Sequence, residues 1–189
     1  MTSQSRSSMV RSAASLIGSH GMNATSFSEV LADSGAPRGS IYHHFPRGKE
    51  ELTEEAINWT TEQVLAHIAS CPYESPSGVL DWFLELWRNL ARTSDGAVGC
   101  PVAGTAVDTA VDREILGCVR AAFRSWGAAL AGRLESAGLA PAQSRRVALT
   151  ALAAMEGALI LCRAEGSAEP LIDVAHQLLQ TMPDPSLGL

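Results

Sequence analysis

Apolar residues recur along this chain at helical spacing, in blocks separated by Gly, Pro and Ser. Met9, Ala13, Leu16, Ile17 and His20 fall on one face and predict a first helix over residues 5–20, ended by Gly21. Phe27, Val30 and Leu31 give the core face of a second, opened by Thr25 or Ser26; Ser26-x-x-Glu29 has the form of a capping box. Ser34-Gly35-Ala36-Pro37 breaks the pattern. Gly35 can take the left-handed conformation that ends a helix, and Pro37 can open the next but not continue the last. A short third helix over about residues 38–45 follows, too short to stand alone. Ile41 and Phe45, four apart, hold it by burial.

Longer helices come next. Lys49 opens one to about Ser70, with Ile57, Val64, Leu65 and Ile68 on one side. After a break at 72–77, Val79, Trp82, Phe83, Leu86, Trp87 and Leu90 make the clearest apolar stripe. Cys100-Pro101 starts a short small-residue helix. Asp112 caps a helix over about 113–137, with a stripe of Leu116, Val119, Phe123, Trp126, Leu130 and Leu134. Pro141 starts the next, to about Ala164, with two apolar faces. Ala148, Leu152, Met155 and Leu159 form one; Val147, Ala151, Ala154, Ala158 and Leu161 form the other, whose small residues suit close approach to a second helix. Leu171, Val174, Ala175, Leu178 and Leu179 mark a last helix over 168–181, before a frayed tail. The expectation is an all-α chain of about nine helices.

Helix, glycine-containing turn, helix is the arrangement of a helix-turn-helix DNA reader. Arg38, Ser40, Tyr42 and His43 point away from Ile41 and Phe45 and offer groups for phosphates and base edges. Arg38 suits bidentate contact with guanine, and Gly39 and Ser40 permit close backbone approach. Tyr42 suits a phosphate, and His43 a base edge or a phosphate. His44, nearer Ile41 and Phe45, reads as part of the small core. Thr25, at a helix start, is placed to meet backbone phosphate. Lys49 opposes the dipole of the helix it opens, a conflict that a phosphate would relieve.

Residues 35–52, with Gly35, Gly39-Ser40-Ile41-Tyr42-His43-His44-Phe45 and Lys49-Glu50-Glu51-Leu52, resemble the signature of TetR-family transcriptional regulators. Gly99-Cys100-Pro101-Val102 resembles a segment of the LmrA-like branch. Pro37 stands where the family usually has a Ser or Thr cap. The resemblance implies a three-helix DNA-binding head, residues 1–48, and a ligand-binding and dimerisation body, residues 49–189. It implies that Lys49 binds backbone phosphate. It further implies a homodimer through the last two helices, here Val147, Ala151, Ala154, Ala158 and Leu161 with Leu171, Val174 and Leu178. The branch responds to lipophilic drugs or flavonoid-like compounds. Trp82, Phe83, Leu86, Trp87, Cys100, Val102, Phe123, Trp126, Met155 and Glu156 are the candidate effector residues, each with an ordinary core or solvated role as its alternative.

Composition refines this picture. The formal net charge is −6, but residues 1–50 carry +2 and the rest −8, which suits DNA contact at one end. Cys71, Cys100, Cys118 and Cys162 are scattered, without C-x-x-C, and read as thiols of a reducing compartment. No signal-peptide pattern or apolar run of membrane-spanning length is present, so a cytoplasmic protein is expected. Nucleophile elbows, glycine-rich phosphate loops and metal-spaced His/Cys sets are also missing, and no catalytic, metal or cofactor role is expected. The reading is a regulator, repressing until a small lipophilic or aromatic effector releases it from a palindromic double-stranded operator. The alternative is a helical ligand-binding module, or a helical enzyme, without DNA binding.

Overall fold

A computed structural model describes residues 2–37, 39, 41–97, 99–108 and 112–182. Among these, nine helices and no strand occur: α1 (Thr2–Ala24), α2 (Phe27–Ser34), α3 (Ile41–His44), α4 (Lys49–Ala69), α5 (Pro76–Thr93), α6 (Pro101–Ala106), α7 (Arg113–Ser136), α8 (Pro141–Glu165) and α9 (Glu169–Gln180). They form two compact units. One takes residues 1–62 and 99–123, the other 63–98 and 124–189. Helices α4 and α7 each belong to both.

In the first unit α1 packs against α2, α3 and α6. Met9, Ala13 and Ile17 of α1, Val30 of α2, Ile41 and Phe45 around α3, and Leu52, Ala56 and Ile57 of α4 are buried. The expected end of α1 at Gly21 is a kink: Gly21 has φ 85° and ψ 164°, and a further turn follows to Ala24. Only glycine holds that backbone without strain. Helices α1 and α6 meet backbone to backbone. Gly99 N–H donates to the Gly18 carbonyl at 3.1 Å, and a Cβ on Gly18 would lie 2.2 Å from the Gly99 oxygen.

In the second unit α5, α8 and α9 pack together. The stripe of α5 is rotated from its expected position. Leu80, Leu84 and Ala91 are buried with Val79, Phe83 and Trp87, while Trp82, Leu86 and Leu90 are half-buried. Ser75 caps this helix, its hydroxyl accepting the Gly78 N–H at 3.2 Å. On α7, Ile115 and Ala122 take the buried positions expected of Leu116 and Phe123. On α8 the face of Ala148, Leu152, Met155 and Leu159 is buried as the periodicity predicts. By length and composition α8 could cross a bilayer, but this buried face makes it a core helix of its unit.

Candidate nucleic-acid interface and effector body

The reading unit is built on α2, a helix capped at both ends. Ser26 is the N-cap of α2. Its hydroxyl accepts the Glu29 N–H at 3.2 Å, and the Glu29 carboxylate accepts the Ser26 N–H at 2.7 Å. These hydrogen bonds hold the Glu29 carboxyl below the usual glutamate range. Gly35 closes the helix in the left-handed conformation, φ 65°. Helix α3 is one turn shorter than the periodicity predicts, because Pro37 lacks an N–H and Gly39 lies in a turn. Arg38 and Ser40, both expected to meet DNA, lie outside the described residues. Gly39 is exposed, with open space around its α-carbon.

On α3, Ile41 and Phe45 are fully buried, and the Phe45 N–H donates to the Ile41 carbonyl at 2.8 Å. That anchorage leaves Tyr42 70% exposed and His43 exposed, with His44 half-buried beside Phe45. The Tyr42 ring stands edge-on to Phe27, centroids 5.5 Å apart, which fixes where its hydroxyl points. A groove of about 530 Å³ runs between α2 and α3, floored by Phe27, Leu31 and Ile41. Arg6 lies over the Phe45 ring, 5.1 Å from its centroid, and pairs with Glu55 at 2.7 Å.

Thr25 and Lys49 are placed differently from each other. Thr25 is 4% exposed, and its hydroxyl donates to the Gly21 carbonyl at 2.8 Å. It closes the turn after α1 and is not the cap of α2. Lys49 opens α4, and its Nζ donates to the Asn23 carbonyl at 2.9 Å. The negative end of α1 thus offsets the dipole conflict at the start of α4. An ammonium has three donors, so two remain for a phosphate. Asn23 is held in turn by Asp108, a residue that periodicity could not connect to the head.

The expected effector residues divide between the two units. Cys100, the N-cap of α6, and Val102 within it are buried in the first unit, which also holds the half-buried Phe123. In the second, Phe83, Trp87 and Trp126 are buried in a chain of edge-on contacts, each pair 6.2 Å apart. Trp87 Nε1 is buried with no hydrogen-bond partner among the described residues. Met155 is buried, while Leu86 and Glu156 are half-buried. Trp82 has another task. Its indole stacks on His67, centroids 4.8 Å apart and planes 5° from parallel. Trp82 Nε1 donates to the His67 carbonyl at 2.8 Å, and His67 Nε2 donates to the Trp82 carbonyl at 2.6 Å. This reciprocal clasp joins the end of α4 to α5.

Of the expected dimer residues, Ala151, Ala158 and Leu171 are buried inside their own unit and expose no surface to a partner. Val147, Ala151 and Leu178 line a cavity of about 260 Å³ with Leu80 and Arg146. Val147, Ala154, Val174 and Leu178 are half-buried. The exposed apolar face of α8 is Leu149 (69% exposed), Ile160 (66%) and Leu161 (50%), with exposed Ala153 and Gly157 between. It shares Leu161 with the expected face and otherwise lies one position round from it, because Ala151 and Ala158 are buried. All four cysteines are free thiols, and burial pushes the Cys118 thiol up, away from the reactive thiolate.

Comparison with known proteins completes the assignment. Residues 10–56 match the profile of bacterial regulatory proteins of the tetR family. Residues 76–177 match that of the transcriptional regulator LmrA/YxaF-like C-terminal domain. An HTH-type transcriptional regulator of Mycobacterium tuberculosis is 35% identical over 185 residues, covering 94% of this chain and 93% of that protein. YxaF of Bacillus subtilis is 32% identical over 183 residues, covering 94% and 96%. The crystal structure of a TetR transcriptional regulator from Legionella pneumophila superposes with a TM-score of 0.82 at 27% identity, covering 93% of this chain and 96% of that one. With its capped helix-turn-helix and a helical body of the LmrA/YxaF type, the chain belongs to the TetR family and is a DNA-binding transcriptional regulator.

Proposed function

We propose that the protein is a homodimeric repressor acting on chromosomal DNA in the cytoplasm, released from a palindromic operator by a small lipophilic or aromatic effector. The observation that supports it most is the exposed pair Tyr42–His43 on a helix pinned by Ile41 and Phe45, with Lys49 close in sequence. In this reading Tyr42 and Lys49 hold phosphates, His43 with Arg38 meets base edges, and Gly39 and Ser40 let the backbone approach. Thr25, its hydroxyl occupied, supports the turn and is not assigned a phosphate. Residues 1–48 read DNA and residues 49–189 receive the effector and the partner copy. No catalytic role is assigned.

The exposed face of Leu149, Ile160 and Leu161 supports the dimer, since a two-fold axis buries the same residues on both copies. The cluster Phe83–Trp87–Trp126 supports an aromatic or lipophilic effector. The buried indole N–H of Trp87 favours one carrying a hydrogen-bond acceptor, because an unpaired buried donor is costly. The effector shifts the dimer only by its differential affinity for the two states. Selection of bound sequences from a random duplex pool tests the proposal. A palindrome with half-sites roughly 34–36 Å apart, or a multiple of that, is expected. Recovery of no enriched sequence would overturn it.

A further inference from the structure

We propose that Asp108, at the end of α6, is a positioning residue for the phosphate-contacting Lys49 and acts through Asn23. The inference rests on the DNA-contacting assignment of Lys49. Asn23 follows the kink at Gly21, where the backbone has left helical geometry. Three bonds hold it in place. Its N–H donates to Asp108 Oδ2 at 2.8 Å, its side-chain amide donates to Asp108 Oδ1, and its carbonyl accepts from Lys49 Nζ at 2.9 Å. Asp108 can fix Asn23 only if it is fixed itself. The close approach of α6 to α1 supplies that: besides the Gly18–Gly99 contact, a Cβ on Gly104 would lie 2.9 Å from the Ile17 carbonyl oxygen. Asp108 therefore sits at the end of a helix whose backbone is seated on α1.

The charge of Asp108 sharpens the argument. A carboxylate near a lysine that binds phosphate has the wrong sign for DNA, and by charge alone it would weaken binding. Its two bonds to Asn23 give it a different use. They set the position of the carbonyl that directs a long, flexible side chain, so that less of the lysine's freedom is left to lose when it meets phosphate. Geometry and charge then predict opposite effects of substitution, which makes the role separable.

The test is affinity for a selected operator, measured by fluorescence anisotropy on the full-length protein across a range of salt. Asp108→Ala is expected to weaken binding about fivefold and to flatten the salt slope in the same direction as Lys49→Ala. In the Lys49→Ala background, Asp108→Ala is expected to add nothing. Asp108→Asn keeps an acceptor for the Asn23 N–H and is expected to stay within about twofold of the unsubstituted protein. Unchanged or tighter binding by Asp108→Ala, or a further loss in the Lys49→Ala background, would overturn the inference and leave the regulator reading intact. An unchanged affinity for Lys49→Ala alone would instead remove the lysine's assignment, and the inference with it. Should Asp108→Ala fold poorly by thermal denaturation, Asp108→Glu carries the same expectations. It keeps the charge and displaces the acceptor by a methylene, so affinity equal to the unsubstituted protein would overturn the positioning role.

Discussion

At the scale of single residues, the head is organised by hydrogen bonds that only partly show in residue type. The Ser26–Glu29 box was legible, since both partners lie on one turn at fixed spacing. Its pH dependence follows. The folded-state value of Glu29 lies below the unfolded one, about 4.3, so the box contributes stability above that value and loses it as pH falls through the lower, folded value. Glu29→Gln should therefore reduce the loss of urea stability between neutral pH and about pH 3; an identical pH dependence in both proteins would refute this. Thr25 was less legible. Its sequence position suits a cap or a phosphate equally, and what decides is the carbonyl of Gly21, which the kink brings within 2.8 Å of its hydroxyl. Asn23, Asp108 and Lys49 were not legible as a set, because residues 85 apart meet only through the seating of α6 on α1.

At the scale of elements, helical periodicity located the helices but rotated two of the stripes. On α5 the large side chains of Trp82 and Leu86 drew the expected face towards them, yet Trp82 is used at the edge to clasp His67, and Leu80, Leu84 and Ala91 go inward. Summed hydrophobicity cannot separate a tryptophan that fills a core from one that hydrogen-bonds across its rim. The same limit applies to α8, where alanines read as a partner-facing surface are small enough to pack inside. The contact of α1 with α6 was signalled by Gly18, Gly99 and Gly104, whose common purpose appears only when the two backbones meet. Gly18→Ala should destabilise the protein by about 1–3 kcal/mol, read by urea denaturation. Stability unchanged within about 0.5 kcal/mol would mean that the two helices slide apart freely.

At the scale of the whole molecule, the family and the all-helical architecture were legible because the head motif is dense and its spacing is dictated by a tight turn. For the proposed dimer surface, Leu161 is the expected residue that is exposed, beside Leu149 and Ile160 on the same helix. Leu149→Glu places a charge on the exposed face of α8 and should shift the protein to monomer in sedimentation velocity while the monomer stays folded. It should weaken operator binding by much more than tenfold, since one short reading helix then binds alone; a dimer of unchanged affinity would move the seam elsewhere. The central claim, that this head holds DNA through Lys49 and reads it through Arg38 and α3, is tested most directly by salt titration of operator affinity with single substitutions. Lys49→Ala is predicted to weaken all sequences about equally and to reduce the slope of log affinity on log salt by about 0.9 for each lysine lost. Arg38→Ala is predicted to erode base preference. A slope and an affinity unchanged by both would contradict the account.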